Sequence, residues 1–457
     1  MRSVTAPSAV HSSGGQSDSI RSLIAFWLPL ALMWLIMGIE QPTVGAVVSR
    51  LPDATRSLAA FEVAFGLATL IHSPIIQMLS AATAIVTGRT SYRRLVTLLT
   101  LIVAALTAIH AIVALPAVFA WVAGELLGVP EQIVPAANRA FAVFLPVTAA
   151  VGYRRMLQGV LIRVGRTKTV GAIMLLRLAA TTVFLAIVLL LHSNGADWLP
   201  AGSTIAAAAF VIGITAGAFA ALRAVRRHLL PALTDDAQDA LELPAMLQFY
   251  TPLALTALIV MAGRPLLAFA IGRSADPVQS LAAWPLIQSY LFVFTAIALS
   301  YQEVVVARIS NADQQGRRNL HVLGNRIATV LTAVLLLVTL SGANRFWFGA
   351  IVGAPRELIA LILPAMAILV PMPWIVTYIS IESGKLLAQR STRWITVATV
   401  VNISVQIVLG FTLPLLRGLD GARIAAIILA AARLSQLAAL WYGRRHSRPV
   451  AQVAAAQ

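Results

Sequence analysis

Residues 26–61 read FWLPLALMWLIMGIEQPTVGAVVSRLPDATRSLAAF, and residues 249–284 read FYTPLALTALIVMAGRPLLAFAIGRSADPVQSLAAW. Laid over one another without a gap, at an offset of 223, the two stretches share 14 of 36 positions. Pro29 returns as Pro252, Pro42 as Pro265, Arg50 as Arg273 and Asp53 as Asp276. Ser57-Leu58-Ala59-Ala60 returns as Ser280-Leu281-Ala282-Ala283. Each copy opens with an apolar run long enough to cross a bilayer, which takes about 20 residues. Duplicated helix bundles packed around a shared midplane site are a common build for secondary transporters.

Composition places the rest of the chain in the same solvent. It is 59% hydrophobic and 11% charged, with a mean hydropathy of +0.86; soluble domains are about 25% charged. Apolar runs separated by polar turns fall near 22–49, 57–86, 93–115, 138–161, 169–192 and 201–222, then near 246–272, 278–305, 325–343, 357–381, 393–415 and 421–442. The expected fold class is an all-α polytopic membrane protein of twelve transmembrane helices, arranged as two parallel-repeat six-helix bundles. Residues 21–223 and 245–443 form the two lobes. A polar linker, 224–244, carries Arg226, Arg227, Asp235, Asp236, Asp239 and Glu242. Residues 1–20 and 444–457 read as cytoplasmic tails, the first disordered and without the apolar core of a signal peptide.

The net charge of +17 is largely topological. Of the 34 Arg and Lys residues, 23 lie on one alternating set of segments and 8 on the other, and Arg177, Arg264 and Arg433 lie within spans. This is the positive-inside pattern. It predicts both termini in the cytoplasm of a cell with the chain in its inner membrane. No segment is both basic and long enough for a nucleic-acid-binding module. The chain has no cysteine. It also lacks a G-x-x-x-x-G-K-[ST] loop, an H-E-x-x-H helix and a G-x-S-x-G elbow. The expectation is therefore a non-enzyme with no cofactor and no metal.

The repeat continues past the first helix pair. Gly128-Val129-Pro130-Glu131 follows the aromatic Phe119 and Trp121, and Gly353-Ala354-Pro355-Arg356 follows Phe346, Trp347 and Phe348. Each precedes a span containing a proline, Pro146 or Pro364. Leu126-Leu127-Gly128-Val129-Pro130-Glu131 resembles the turn before the fourth span of multidrug and toxic compound extrusion (MATE) transporters. These belong to the multidrug/oligosaccharidyl-lipid/polysaccharide (MOP) flippase superfamily, which has a 6+6 parallel repeat. Glu40-Gln41, Leu58-Ala59-Ala60-Phe61, Phe249-Tyr250-x-Pro252-Leu253-Ala254-Leu255, Arg264-Pro265, Arg273 and Pro371-Met372-Pro373 are similar to segments of its progressive ankylosis (ANK) family. The resemblance implies export of small cytosolic anions such as citrate, ATP or pyrophosphate.

Charged groups within a bilayer are costly and mark functional candidates. Glu40-Gln41-Pro42 and Gly263-Arg264-Pro265 occupy equivalent places in the first and seventh spans, about 27 Å from their cytoplasmic ends by helical rise. Facing one another across a cavity, Glu40 and Arg264 are expected to form a salt bridge or a shared site. Arg264 is the first candidate for anion binding, because its planar fork matches carboxylate and phosphate oxygens. Glu40 is the proton-coupling candidate, with His72 as a mid-span relay or a packing residue. Glu62 reads as reaching headgroups at the external end of the second span. Arg177 and the i, i+4 pair Asn402 and Gln406 suggest a polar patch in each lobe, for substrate or as packing glue. Arg154, Arg155 and Gln158 are candidates for a basic cytoplasmic mouth or for ordinary anchors. Glu303, Glu382 and Lys385 stand at inner span ends as gating pairs or as bystanders.

These residues support an alternating-access exporter of a small organic or phosphate anion, a monomer in the lipid bilayer, coupled to H+ or Na+. The rivals are a MATE-type multidrug exporter, a lipid-linked precursor flippase and, with least support, a membrane-embedded transferase or scaffold. Three mid-span arginines against Glu40 disfavour cationic cargo.

Overall fold

The computed structural model describes residues 19–164, 166–229, 234, 236, 240–309, 312–389, 392–416 and 418–446. Most of the two expected tails, and Asp235 and Asp239 of the linker, lie outside the described residues. The first half runs α1 (Ile20–Val48), α2 (Ala54–Ile76), α3 (Met78–Ile85), α4 (Arg89–Ala114), α5 (Pro116–Ala120), α6 (Val134–Val143), α7 (Val147–Arg163), α8 (Thr167–Ser193) and α9 (Gly202–His228). The second runs α10 (Leu243–Met261), α11 (Gly263–Gly272), α12 (Pro277–Arg308), α13 (Gln314–Leu340), α14 (Ala343–Phe346), α15 (Arg356–Leu369), α16 (Met372–Ala388), α17 (Thr392–Thr412) and α18 (Gly421–His446).

Among the described residues, nine helical segments are long and apolar enough to cross a membrane. Two further helix pairs are bent at a short break, α6–α7 by 41° and α15–α16 by 44°, and counting each pair as one span gives up to eleven. The expected number was twelve; α1, 29 residues long, stands outside this count. The segment Ala54–Ile85 is 72% buried at its most apolar stretch, whereas Arg89–Ala114, Lys168–Ser193 and Arg393–Leu415 are 22% buried. Those peripheral helices show Leu101, Leu190 and Phe411 outward, as lipid requires and water would penalise.

The repeat is written into the backbone. Asp53 and Asp276 stand immediately before α2 and α12 with φ of 53° and 52°, a left-handed conformation that Asp tolerates better than most residues. A π-helical turn, Trp121–Leu126 or Trp347–Ile351, follows α5 and α14 alike. The bends fall at equivalent prolines too. α7 starts after Pro146 and α16 after Pro371, while Pro364 lies within α15.

The lobes hold one another in two reciprocal ways. Leu23 of α1 packs with Tyr301, Val304, Leu320 and Ile381 of the second lobe, and Met246 and Tyr250 of α10 pack with Ile75, Leu95 and Leu157 of the first. The N-terminal part of each first helix thus completes the other lobe's core. At the opposite end, repeat-equivalent arginines cross over. Arg50 Nη1 donates to the Val352 carbonyl at 2.7 Å, and its Nη2 to that of Ile351 at 2.6 Å. Arg273 Nη2 donates to the carbonyls of Glu125 and Leu126 at 3.3 and 3.2 Å. Each guanidinium satisfies carbonyls that the end of a π-helical turn leaves open. Gly128 and Gly353 make room for it: both have positive φ, 69° and 76°, and a Cβ at Gly128 would stand 2.8 Å from Arg273 Nη1.

The linker is tied to the first lobe. Asp236 Oδ1 accepts from the Thr90 and Ser91 amides at 2.8 and 3.2 Å, and Oδ2 accepts from Thr87 Oγ1 at 2.6 Å. It caps α4 from a distance of some 145 residues in sequence. Burial opposes the charge, but the bonds from Ser91, Thr87 and Thr90 outweigh it and hold the carboxyl at about 2. A depressed carboxyl stabilises the fold above its unfolded value, about 3.9, and that contribution vanishes as pH falls through about 2. Asp236→Ala should therefore cost about 1 kcal/mol at neutral pH, as loss of a helix cap does, and the gap in melting temperature to the native protein should narrow below pH 4. Equal melting temperatures at pH 7 would refute the cap.

The arginine clasp gives a second expectation, easily read in a chain without cysteine. With Ala354→Cys as a reporter at a buried position, the Arg50→Gln/Arg273→Gln variant should react with a water-soluble maleimide about tenfold faster, the effect of a shift of about 1.4 kcal/mol. An unchanged rate would mean that apolar packing alone keeps this end closed.

Candidate functional site

Between the lobes lies a cavity of about 250 Å³ lined by Glu40 and Gln41 of α1, Arg177 of α8 and Arg264 of α11, with Phe65, Phe210, Phe292 and Met174 as walls. Four residues singled out from sequence thus meet in one space. The chain reaches it differently from each side. α10 ends at Met261 and α11 begins at Gly263, because Pro265 has no N–H to give to the preceding turn. α1 instead runs unbroken through Pro42.

The expected Glu40–Arg264 bridge is not made. Glu40 is held on its own lobe by Arg177, whose Nη2 pairs with Oε2 and whose Nε donates to Oε1 at 3.3 Å. Thr181, one turn further along α8, donates its hydroxyl to Oε1 at 3.0 Å. Gly213 permits this arrangement, since a Cβ there would stand 2.1 Å from Thr181 Oγ1. Arg264 turns to Glu62, with Nη1 at 3.3 Å from each carboxylate oxygen, and its guanidinium lies 4.9 Å from the Phe65 ring centre. Glu62 therefore does not reach headgroups. It is buried to 3% exposure and joins α2 to α11 across the lobe interface. Counting from the clasped end would have found it: Glu62 is eight residues from the start of α2, and Arg264 eight from the end of α11. Both are about 12 Å deep by helical rise.

The other candidates lie elsewhere. His72 is buried, its Nδ1 has no hydrogen-bond partner, and it does not line the cavity. His110 bonds the Phe141 carbonyl through Nε2 at 2.9 Å and stacks on that ring. Arg154 and Gln158 are buried rather than opening a mouth. Arg154 Nη1 lies 3.3 Å from Gln158 Oε1, and both side chains donate to Met174 Sδ at 3.6 Å, directly behind the cavity wall. Arg155 keeps a buried Nε without a partner. Gln406 donates to Asn402 Oδ1 at 2.7 Å, Asn402 donates to Gln436 Oε1 at 3.3 Å, and Arg433 donates to the same oxygen at 3.0 Å. This chain of side chains ties α17 to α18 and stays off the walls of the Arg264 cavity. Lys385 and Arg444 both pair with Glu382, at 2.9 and 3.0 Å, and Glu303 accepts from Trp34 Nε1 at 3.1 Å. Among the described residues no cluster of three or more His, Cys, Asp or Glu is placed to hold a metal ion.

Two bent spans at equivalent places, a pseudo-twofold pair of lobes and a charged cavity between them define the architecture. The fold is MATE-like. A eukaryotic MATE transporter, AtDTX14, superposes with a TM-score of 0.61 at 16% identity, over 94% of this chain and 95% of that one. The lipid II flippase MurJ in an inward closed conformation gives 0.66 at 11% identity, over 92% and 87%. A MOP-superfamily transporter from Pyrococcus furiosus, described by a binding pocket of reversed polarity, gives 0.58 at 13% identity, over 93% and 96%. No protein-family model and no curated protein matches the sequence. At such identities the likeness is one of fold.

The buried pairs predict a non-additive response. Arg177→Gln leaves Glu40 with Thr181 alone and should cost about 3 kcal/mol, the usual penalty for breaking a buried ion pair. The Arg177→Gln/Glu40→Gln variant, with no orphaned charge, should melt closer to the native protein than either single variant. Strict additivity in detergent melting curves would sink the pairing.

Proposed function

We propose that the chain is a secondary transporter exporting a small organic or phosphate anion from the cytoplasm by alternating access. The observation that carries this is the charge of the cavity: two guanidinia, Arg177 and Arg264, face a space lined by one carboxylate, Glu40. Aromatic walls around it lower the local polarity and strengthen the pull of those cations on an anion. The MATE-like fold supplies two lobes able to rock about that site. Arg264 also keeps Glu62 as a partner outside the lining, so the two resting pairs balance and an anion enters as one of them opens. The transporter with the reversed-polarity pocket is a parallel for the same fold handling a different cargo.

In this reading α1 is the twelfth span, both termini face the cytoplasm of the cell, and the arginine clasp closes the external side of an inner-membrane monomer. The resemblance to the ANK family suggests citrate, ATP or pyrophosphate as cargo. Glu40 and the substrate compete for Arg177. A proton on Glu40 frees that guanidinium for the anion, which couples H+ to transport if the two lobe arrangements differ in proton affinity. Arg264 binds the anion with Glu62 as its resting partner, so substrate entry weakens a contact that spans the lobes.

A lipid-linked anion is the second reading. A groove of about 610 Å³ between α4, α7 and α9 exposes Phe219 and carries Arg226 at one end, and MurJ shares the fold.

Proteoliposomes loaded with labelled citrate, ATP or pyrophosphate test the two. Saturable flux of at least one anion, reduced about tenfold or more in Arg264→Gln by loss of a charge-assisted contact, is the expected result. No flux of any anion from correctly folded protein would refute the small-anion reading, and movement of a labelled lipid-linked precursor would establish the second.

A further inference from the structure

A second cavity, of about 170 Å³, lies in the C-terminal lobe and shares the Phe292 ring as a wall with the first. Its polar lining is Gln288, Thr295 and Arg433. Arg433 sits on α18, about 18 Å from that helix's start by helical rise. Its one hydrogen bond goes to a neutral amide, Gln436 Oε1 at 3.0 Å, and among the described residues no carboxylate lies within ion-pair distance of it. The two guanidinia that line the first cavity differ: Arg177 has Glu40 and Arg264 has Glu62. A guanidinium in an apolar bundle without a countercharge is costly. Here it faces a cavity large enough for a carboxylate or a phosphate group.

We infer that the Arg433 cavity is a second anion subsite, and that the cargo carries at least two anionic groups. One group binds at Arg177 and Arg264, and the other binds at Arg433, with Thr295 and Gln288 as hydroxyl and amide donors. Phe292 stands between the two groups and sets their separation. This rests on the anion-transport reading and narrows it. A dianion or trianion fills both subsites, whereas a monoanion fills only one of them. The second anionic group thereby supplies Arg433 with a countercharge that it lacks among the described residues.

Binding to purified protein in lipid nanodiscs, measured by calorimetry, tests this with citrate, succinate and butyrate as probes. Succinate and butyrate have the same number of carbons and differ by one carboxylate. Arg433→Gln orphans no carboxylate, so it should fold, and Arg433→Lys retains the charge without the fork. The expected result is that Arg433→Gln weakens citrate and succinate by about tenfold and lowers the succinate-to-butyrate affinity ratio by a similar factor, with Arg433→Lys intermediate. Widening the passage with Phe292→Ala should shift preference towards dianions of a different length. If Arg264→Gln abolishes citrate binding while Arg433→Gln leaves it unchanged, the second subsite is wrong and the anion-transport reading survives. If Arg433→Gln weakens butyrate as much as succinate, Arg433 acts as a general field and the subsite is again wrong. If the native protein binds none of the three and Arg264→Gln changes nothing, both fall.

Discussion

A charge in hydrocarbon must find a partner inside the chain, because lipid offers none. That constraint organises the interior of this bundle. Glu40 is consumed by Arg177 and Thr181 within the first lobe, and Glu62 reaches across to Arg264 in the second. The pairing leaves the interior short of carboxylates. Arg154 rests on an amide and a thioether, and Arg433 on an amide. Cations therefore outnumber the carboxylates available to pair with them among these buried groups. The pairing also fixes the packing: Gly213 has no side chain because Thr181 must stand where a Cβ would be.

The two lobes meet through contacts of different character. The exchanged ends of α1 and α10 bury apolar side chains, a non-directional attraction that survives small shifts of one helix along another. The clasps of Arg50 and Arg273 are directional bonds to a few carbonyls, each worth on the order of 1 kcal/mol net. The interface is thus apolar at one end and held by directional polar bonds at the other. The Glu62–Arg264 pair sits between the two, about 12 Å from the clasped end, and ties α2 to α11 across the lobe interface.

The same architecture serves proteins named for multidrug transport and for lipid II flipping at identities of 16% and below. A bundle of apolar helices is specified mainly by length, bend positions and small-residue contacts, so the few polar residues in the cavity are free to vary. In this chain those residues are cationic in surplus. The fold is shared, and the charge of this cavity is particular to this chain's residues.

Much of the architecture was legible from the chain alone. Span length, the 223-residue repeat and the equivalence of Arg50 with Arg273 are local properties of composition and order. Glu40, Gln41, Arg177 and Arg264 were each legible as polar residues deep in apolar runs, but that these four share one cavity, without Asn402 and Gln406, was decided by packing. Their partners were not legible. Depth along a helix says nothing of its tilt or of which way a side chain points, so Glu40 and Arg264 looked like a pair. Helix crossing gave Glu40 to Arg177 and Arg264 to Glu62. Asn402 and Gln406 did share a face, as their spacing required, but the rotation of α17 turned that face to Gln436 rather than to the Arg264 cavity. Sequence determined which groups must be satisfied inside the bilayer; tertiary packing alone decided by whom, because pairing depends on the rotation and crossing of helices far apart in the chain.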